Sequence, residues 1–239
     1  QQVLQAMREL RDQGRFPQFN DRHAQQYLAN GANGLYNMCP ASGSALDEEE
    51  LTRLSAQARE HVYQYRDLWR KELPHFAQAE IVQMGHGIGI RESRRVSGLK
   101  TLDAQMVISA AKQPDALGHG FWMIDIHDPT GTGYTTHSDH KPGMWLKPGQ
   151  SYHIPLGICL NAQIPNLAVV GRCVSTTHEG LASIRLQSHC MVMGQGVGTC
   201  AAMALNARED LAQVDVAKLQ TLLRKDGVHL EDVPQPSAG

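Results

Sequence analysis

The chain has 239 residues, of which 41% are hydrophobic, so it can build one large core or two small ones. Its formal net charge of −2 and its pI near 6.7 argue against nucleic-acid binding, which favours a basic face. No apolar run approaches the roughly 20 residues that a bilayer-spanning helix needs. We therefore expect neither a nucleic-acid partner nor a membrane.

The ends and the cysteines of the sequence bear on its origin. The polar, helix-like residues 1–15 lack the features of a signal peptide, and a start at Gln1 favours a fragment or a processed chain. The five cysteines have no CxxC spacing, which disfavours a disulfide framework or a zinc site. A reducing cytoplasm is the expected location.

The first third of the chain is predicted to be helical. Its clearest helix has apolar residues at steps of three and four, namely Leu51, Leu54, Ala58, Val62, Tyr65, Trp69 and Leu73. Asp47 can cap this helix, Glu50 completes a start that resembles a capping box, and Pro74 ends it.

The rest of the chain alternates between strand and helix patterns. Short apolar runs between turn residues predict strands at 81–84, 121–126, 152–160 and 167–170. Helices are predicted at 102–111, 186–204 and 215–225, with Gly227 ending the last one. The tail, residues 233–239, is expected to be disordered.

Residues 166–204 show a strand, a loop and a helix in succession. The apolar run at 167–170 is typical of a strand that is buried on both faces, and Gly171 would let a ligand approach the backbone. The free N–H groups at the following helix start stabilise negative charge, such as that near N1 and O2 of a reduced flavin. The alternative is a unit whose only role is packing.

Several motifs in this region match one family in order. They are GRCVSTTHE at 171–179, SIR at 183–185, GQGVGT at 194–199 and GIRESRRVSG at 89–98, with weaker matches at 124–127 and 152–155. The sequence resembles FAD-dependent oxidoreductases of the glutathione-reductase-like group, which are distantly related to fumarate reductases. Ordered motifs are more specific than a single glycine pattern.

The resemblance implies an α/β fold, α+β in part, that forms an incomplete glutathione-reductase-like FAD-binding fold. Residues 1–160 would form a substrate-side domain, and 161–232 the C-terminal portion of the FAD-binding domain. The implied cofactor is FAD, held by Gly171, Arg172, Arg185, Leu186, Gln187 and Ser188. The family commonly has alanine where this chain has Gly196, and we expect the glycines of this helix to allow close packing.

One element of the family pattern is absent from the sequence. No strand, GxGxxG turn and helix with a later acidic residue is found, and residues 85–89 only imitate the glycine pattern. We therefore expect the nucleotide-binding half to lie elsewhere, on the same or another chain. The chain alone should then bind FAD poorly and be inactive.

Two residues are the candidates for catalysis. Arg91 would offset developing negative charge, and His178 would act as a base near neutral pH. The alternatives are an ion pair within a sheet for Arg91 and a structural hydrogen bond for His178. Cys173 is expected to pack.

The predicted function is hydride transfer between a small organic substrate and flavin. The alternative is a non-catalytic or metal-binding module that uses the loop between Asp125 and His140. That loop contains histidines and aspartates without a signature spacing, so no metal site is expected there.

Overall fold

The structure is a computed structural model that describes residues 2–15, 25–30, 33–37, 41–126 and 146–232. The described residues up to 90 belong to one compact unit, and the remainder belong to a second. Each unit has its own hydrophobic cluster. The predicted division at residue 160 separates a substrate-side domain from part of an FAD-binding domain. It is defined by the ligands that each part would contact, and it stays a prediction. The predicted tail at 233–239 and most of the loop between Asp125 and His140 lie outside the described residues.

A long amphipathic helix, α2 (Glu48–Glu72), dominates the first unit. The Asp47 carboxylate accepts a hydrogen bond from the Glu50 N–H, as the sequence predicts for a helix cap. Tyr65 and Trp69 from the predicted apolar stripe are buried. A short 3-10 turn, Pro74–Phe76, follows the helix and confirms its predicted end.

The same unit contains helix α1 (Gln2–Asp12) and an antiparallel pair, β1 (Gln25–Asn30) and β2 (Asn33–Asn37). Met7 of α1 is fully buried and accepts a hydrogen bond from the Trp69 indole N–H at 3.1 Å. The helical prediction for this part of the chain therefore missed one hairpin.

The strand predicted at 81–84 is wrong. Residues 79–97 form no helix or strand, and Val82 is 87% exposed. A strand needs a partner for its backbone groups, and the structure shows no ladder for this segment.

The second unit contains an antiparallel pair, β3 (Ala116–Gly120) and β4 (Tyr152–Pro155). The strand predicted at 121–126 is wrong in position, because the actual strand ends at Gly120. Gly118 lies within β3, where a Cβ atom would stand 2.5 Å from the Val192 side chain. The glycine thus permits a close approach between the strand and a helix.

Strand β4 is shorter than the predicted strand at 152–160. It gives way to a 3-10 turn, Leu156–Ile158, whose carbonyls bond to irregular segments. Gly157 O accepts from Lys100 N at 3.0 Å, and Ile158 O accepts from Ser175 N at 2.9 Å. The backbone groups are satisfied here without a regular ladder.

The helices of the second unit are α3 (Ala104–Ile108), α4 (His178–Ile184), α5 (Gln187–Ala207) and α6 (Val216–Lys225). Helix α3 is shorter than predicted, because Asp103 caps its start and Ala110 adopts a φ of 52°. Helices α5 and α6 confirm the predictions, and Gly227 ends α6 with a φ of 87°.

Helices combined with small antiparallel sheets agree with the predicted mixed α/β class, and the antiparallel pairing corresponds to its α+β part. None of the described helices is long and apolar enough to cross a membrane. The core of the second unit joins β3 and β4 to α4 and α5 through residues such as Leu117, Ile154, Ile184 and Met193.

Candidate functional site

The segment before Gly171 differs from its prediction. Residues 167–170 form no strand ladder, and their contacts include one bridge between Ala168 and Leu160 and a hydrogen bond from Val169 N to Cys159 O. Val170 is 42% exposed. The prediction of a strand buried on both faces is wrong, because among the described residues the segment pairs on one side only.

Gly171 starts a 3-10 turn, Gly171–Cys173, with a φ of 81°. This left-handed conformation favours glycine. Among the described residues, a Cβ at this position would meet only the Cys190 sulfur, at 4.0 Å, so the backbone conformation constrains the residue type here and lack of space does not. Arg172 and Cys173 are exposed, and the prediction that Cys173 packs is wrong.

The two main motifs of the sequence meet at this turn. Val96 N donates to Cys173 O at 2.8 Å. Gly98 lies so close to Ser175 that a Cβ on the glycine would be 2.7 Å from the serine Cβ. Residues that are about 75 positions apart in the sequence therefore build one local structure.

His178 is the first residue of α4. Thr177 caps this helix by accepting from Gly180 N at 3.2 Å, and the His178 side chain is 54% exposed. Its Nδ1 lies 2.5 Å from Glu92 Oε2, and Glu92 also pairs with Arg95. The sequence did not single out Glu92 as a site residue, although its place in the GIRE motif was a signal.

Arg185 follows α4 and is largely buried. Its Nη2 donates to Asp125 O at 2.6 Å and lies 3.6 Å from the Asp125 carboxylate. Burial lowers the pKa of Arg185, and the positive charges of Arg91 and Arg172 lower it further, whereas Asp125 and Glu92 oppose this. Asp125 begins the loop that was considered above for metal binding. In the structure it accepts a hydrogen bond from the Arg185 guanidinium and lies near its charge.

Arg91 and Arg172 lie near enough to Arg185 for their positive charges to act on its guanidinium, and we call these three residues the guanidinium cluster. Arg91 and Arg172 are exposed, and each acts unfavourably on the positive charge of Arg185. Like charges held together in this way are stabilised by an anion. The sequence predicted a separate role for each of these arginines. His178 is linked to them through Glu92, whose negative charge also acts on Arg185.

The start of α5 provides free backbone N–H donors directly after Arg185. Leu186 occupies the cap position, and no side chain of the described residues accepts from the first turn. Gln187 and Ser188 are exposed. A 21-residue helix places partial positive charge at this end.

His189 follows Ser188 in α5, and the sequence did not predict it as a site residue. It is fully buried, and its Nε2 accepts from Phe121 N at 3.3 Å. Burial lowers the pKa of His189, so the neutral ring is favoured. No sequence pattern marks this residue, because its partner lies 68 positions earlier.

An anionic ligand or cofactor suits these features. A flavin dinucleotide is such a ligand, because the guanidinium cluster and the uncapped helix start both favour negative charge, and the left-handed Gly171 carries no side chain. The residues present therefore fit FAD.

The family comparison agrees with the site. A family model described as FAD dependent oxidoreductase matches residues 4–223. The chain belongs to this family, it is an oxidoreductase, and its cofactor is FAD. No curated protein and no solved structure gives a significant match.

Proposed function

We propose that the protein transfers a hydride between a small organic substrate and flavin. When bound, FAD supplies the ring that accepts or gives up the hydride. The main support is the family match to FAD dependent oxidoreductases over residues 4–223, together with Arg185, which donates to Asp125 O at 2.6 Å directly before the uncapped start of α5. A largely buried guanidinium beside a free helix start stabilises negative charge on a ligand that lies against it.

Six residues are proposed to bind the cofactor. Gly171 and Arg172 lie in the turn before α4, and the left-handed conformation of Gly171 favours a residue without a side chain. Arg185 is held in place by Asp125. Leu186, Gln187 and Ser188 follow at the start of α5, where the backbone N–H groups point outward from the helix end.

His178 is proposed as the proton acceptor of the reaction. Glu92 accepts a hydrogen bond from Nδ1–H at 2.5 Å, which leaves the Nε2 lone pair available. The exposure of the side chain, 54%, gives a substrate access to this atom. Arg91 is proposed to offset negative charge that develops on the substrate.

We also propose that the adenosine and pyrophosphate are bound by a strand, turn and helix outside residues 1–239, on the same or another chain. The whole would have a glutathione-reductase-like fold, and residues 1–239 alone would be inactive. In support, residues 85–89 have the nearest glycine pattern and form no strand or helix. A cytoplasmic location is proposed because the described cysteines are free.

The cofactor assignment is tested by measuring FAD content in protein produced together with the segment that is proposed to bind the adenosine and pyrophosphate. Arg185→Ala should lower FAD content strongly, whereas Lys218→Ala, which removes an exposed charge on α6, should not. Gly171→Ala should also lower it. Gly149→Ala is the matched control, because Gly149 has the same φ of 81° and an added Cβ would meet none of the described residues within 4 Å.

Equal FAD content in Gly171→Ala and Gly149→Ala would contradict the role of Gly171. The proton role is tested separately with His178→Gln and Glu92→Gln. Both should lower turnover and alter its pH profile while FAD content is retained. An unchanged pH profile in His178→Gln would exclude this histidine as the proton acceptor.

A further inference from the structure

Three side chains with metal-binding chemistry meet at the paired strands of the second unit. His119 of β3 and His153 of β4 are register partners, and their rings lie 4.9 Å apart. Asp232, which follows α6, reaches both of them. Its Oδ1 is 3.1 Å from His119 Nε2 and 3.0 Å from His153 Nε2. We call these three residues the His–His–Asp cluster.

Burial distinguishes this cluster from an ordinary surface group. His153 is fully buried, and the His119 side chain is 13% exposed. His119 Nε2 is itself buried and makes no hydrogen bond with the described residues, although Asp232 Oδ1 lies 3.1 Å away. A buried nitrogen without a hydrogen bond costs free energy, and a ligand at the centre of the cluster would remove that cost.

The outer contacts of both histidines favour an inward-facing Nε2. His119 Nδ1 lies 2.7 Å from Ser151 Oγ. His153 Nδ1 accepts a hydrogen bond from Gln113 N–H at 2.9 Å and lies 3.2 Å from Gln113 O. In that tautomer Nε2–H donates to Asp232. A metal on Nε2 requires the other tautomer, in which Nδ1–H donates to the Gln113 carbonyl, and histidine ligands of metals are usually held in this way.

The geometry points to a divalent metal site of the zinc class, formed by His119 Nε2, His153 Nε2 and the Asp232 carboxylate. The three ligand atoms lie within 4.8 Å of one another. Tetrahedral zinc with bonds of about 2.0 Å needs ligand atoms about 3.3 Å apart. The required contraction is small, and a water molecule would complete the coordination.

Two side chains beside the His–His–Asp cluster bear on metal binding, and one of them opposes it. The Lys112 ammonium group pairs with the second oxygen of Asp232 and donates to Ser151 O, so its positive charge weakens metal binding. His229 lies beside His119, with ring centroids 5.0 Å apart. A bound metal would fasten the segment after α6 to the two strands, which gives it a structural role separate from flavin chemistry.

The test uses the full chain, stripped with a chelator and then dialysed against Zn²⁺. Bound zinc is measured by elemental analysis, and affinity by competition with a chelating dye. Asp232→Asn should weaken zinc binding at least about tenfold, since losing even an outer-shell partner costs 10- to 100-fold. His119→Gln should do the same. Glu231→Gln, at the neighbouring exposed carboxylate, is the matched control and should bind as the wild type does.

Circular dichroism checks that each variant folds, and Asp232 is the safer position because its side chain is 42% exposed. Zinc should also raise the melting temperature of the wild type and leave that of Asp232→Asn unchanged. Absence of zinc binding by the wild type would overturn the proposal. Equal zinc affinity in the wild type, Asp232→Asn and His119→Gln would place the metal elsewhere and would overturn it as well.

Discussion

Three glycines in α5 provide a direct test of how this helix packs. Gly194 and Gly198 are exposed, and an added Cβ would meet nothing within 4 Å. Gly196 is buried, and its Cβ would lie 2.8 Å from Leu117 Cδ2 and 3.0 Å from Leu117 Cβ. Leu117 is only 1% exposed, so it has little room to move.

The expected free energies follow from these contacts. Replacing an interior helical glycine with alanine stabilises a helix by about 0.5–1 kcal/mol. Gly194→Ala should therefore gain this amount. Gly196→Ala gains the same helix propensity but adds overpacking that costs about 1–3 kcal/mol. The difference between the two variants isolates the packing cost, and it corresponds to about 2–12 °C in melting temperature.

Thermal unfolding followed by circular dichroism measures this difference, with Gly198→Ala as a second exposed control. Gly194→Ala and Gly198→Ala should melt above the wild type, and Gly196→Ala should melt clearly below both. If Gly196→Ala is as stable as the two controls, α5 does not pack against β3 in the manner described. The family's usual alanine at this position would then fit this chain too.

Three further predictions concern other parts of the second unit. Burial raises the pKa of Cys159 to about 12, so alkylation at mildly basic pH should modify the exposed Cys173 and leave Cys159 intact in peptide mass mapping. A hydrogen bond from the Lys218 N–H lowers the pKa of Asp215. The stability that this carboxylate contributes is therefore complete above its usual pKa of about 3.9 and declines as pH falls further. In denaturant titrations, Asp215→Asn should thus differ most from the wild type at neutral pH. Asn166→Ala should lower the free energy of unfolding by about 1–3 kcal/mol, because it removes two hydrogen bonds to residues 210–211. It also places alanine at a φ of 59°, a left-handed conformation that asparagine tolerates better.

Each of these has a contradicting outcome. Equal labelling of Cys159 and Cys173 would show that the core around Cys159 is open. A stability difference for Asp215→Asn that stays constant down to strongly acidic pH would exclude the ionised cap. Wild-type stability of Asn166→Ala would mean that residue 166 does not hold the segment that precedes the site.

Local patterns predicted the helices well. The start of α2 at Asp47, its end before Pro74 and the end of α6 at Gly227 each depend on a few neighbouring residues with known preferences. These signals act within one or two turns of helix. They are therefore present in the sequence whatever the rest of the chain does.

The strands depended on partners that the sequence could not reveal. Glycine weakens a strand interior, and only the proximity of Val192 explains why Gly118 lies within β3. The apolar run at 167–170 was predicted to be buried on both faces. It is partly exposed, because among the described residues it pairs with another segment on one side only. Burial of a strand is a property of the whole sheet.

The candidate site was predictable only in part. The motif order selected Arg91, His178 and Arg185 one by one, but the pairing of His178 with Glu92 spans 86 residues. The His–His–Asp cluster has no sequence signature, because strand register joins His119 to His153 and a loop supplies Asp232 from the far end of the chain. Long-range contacts of this kind become visible only in the fold.

A visible absorption spectrum tests whether Arg185 and its neighbours bind FAD. Protein produced together with the segment that is proposed to bind the adenosine and pyrophosphate should show flavin absorption bands, and the released cofactor should be FAD. The bands should bleach when a substrate or a chemical reductant reduces the ring. Arg185→Ala should lose most of this absorption while remaining folded. A colourless wild-type protein, or full flavin content in Arg185→Ala, would rule out this binding site.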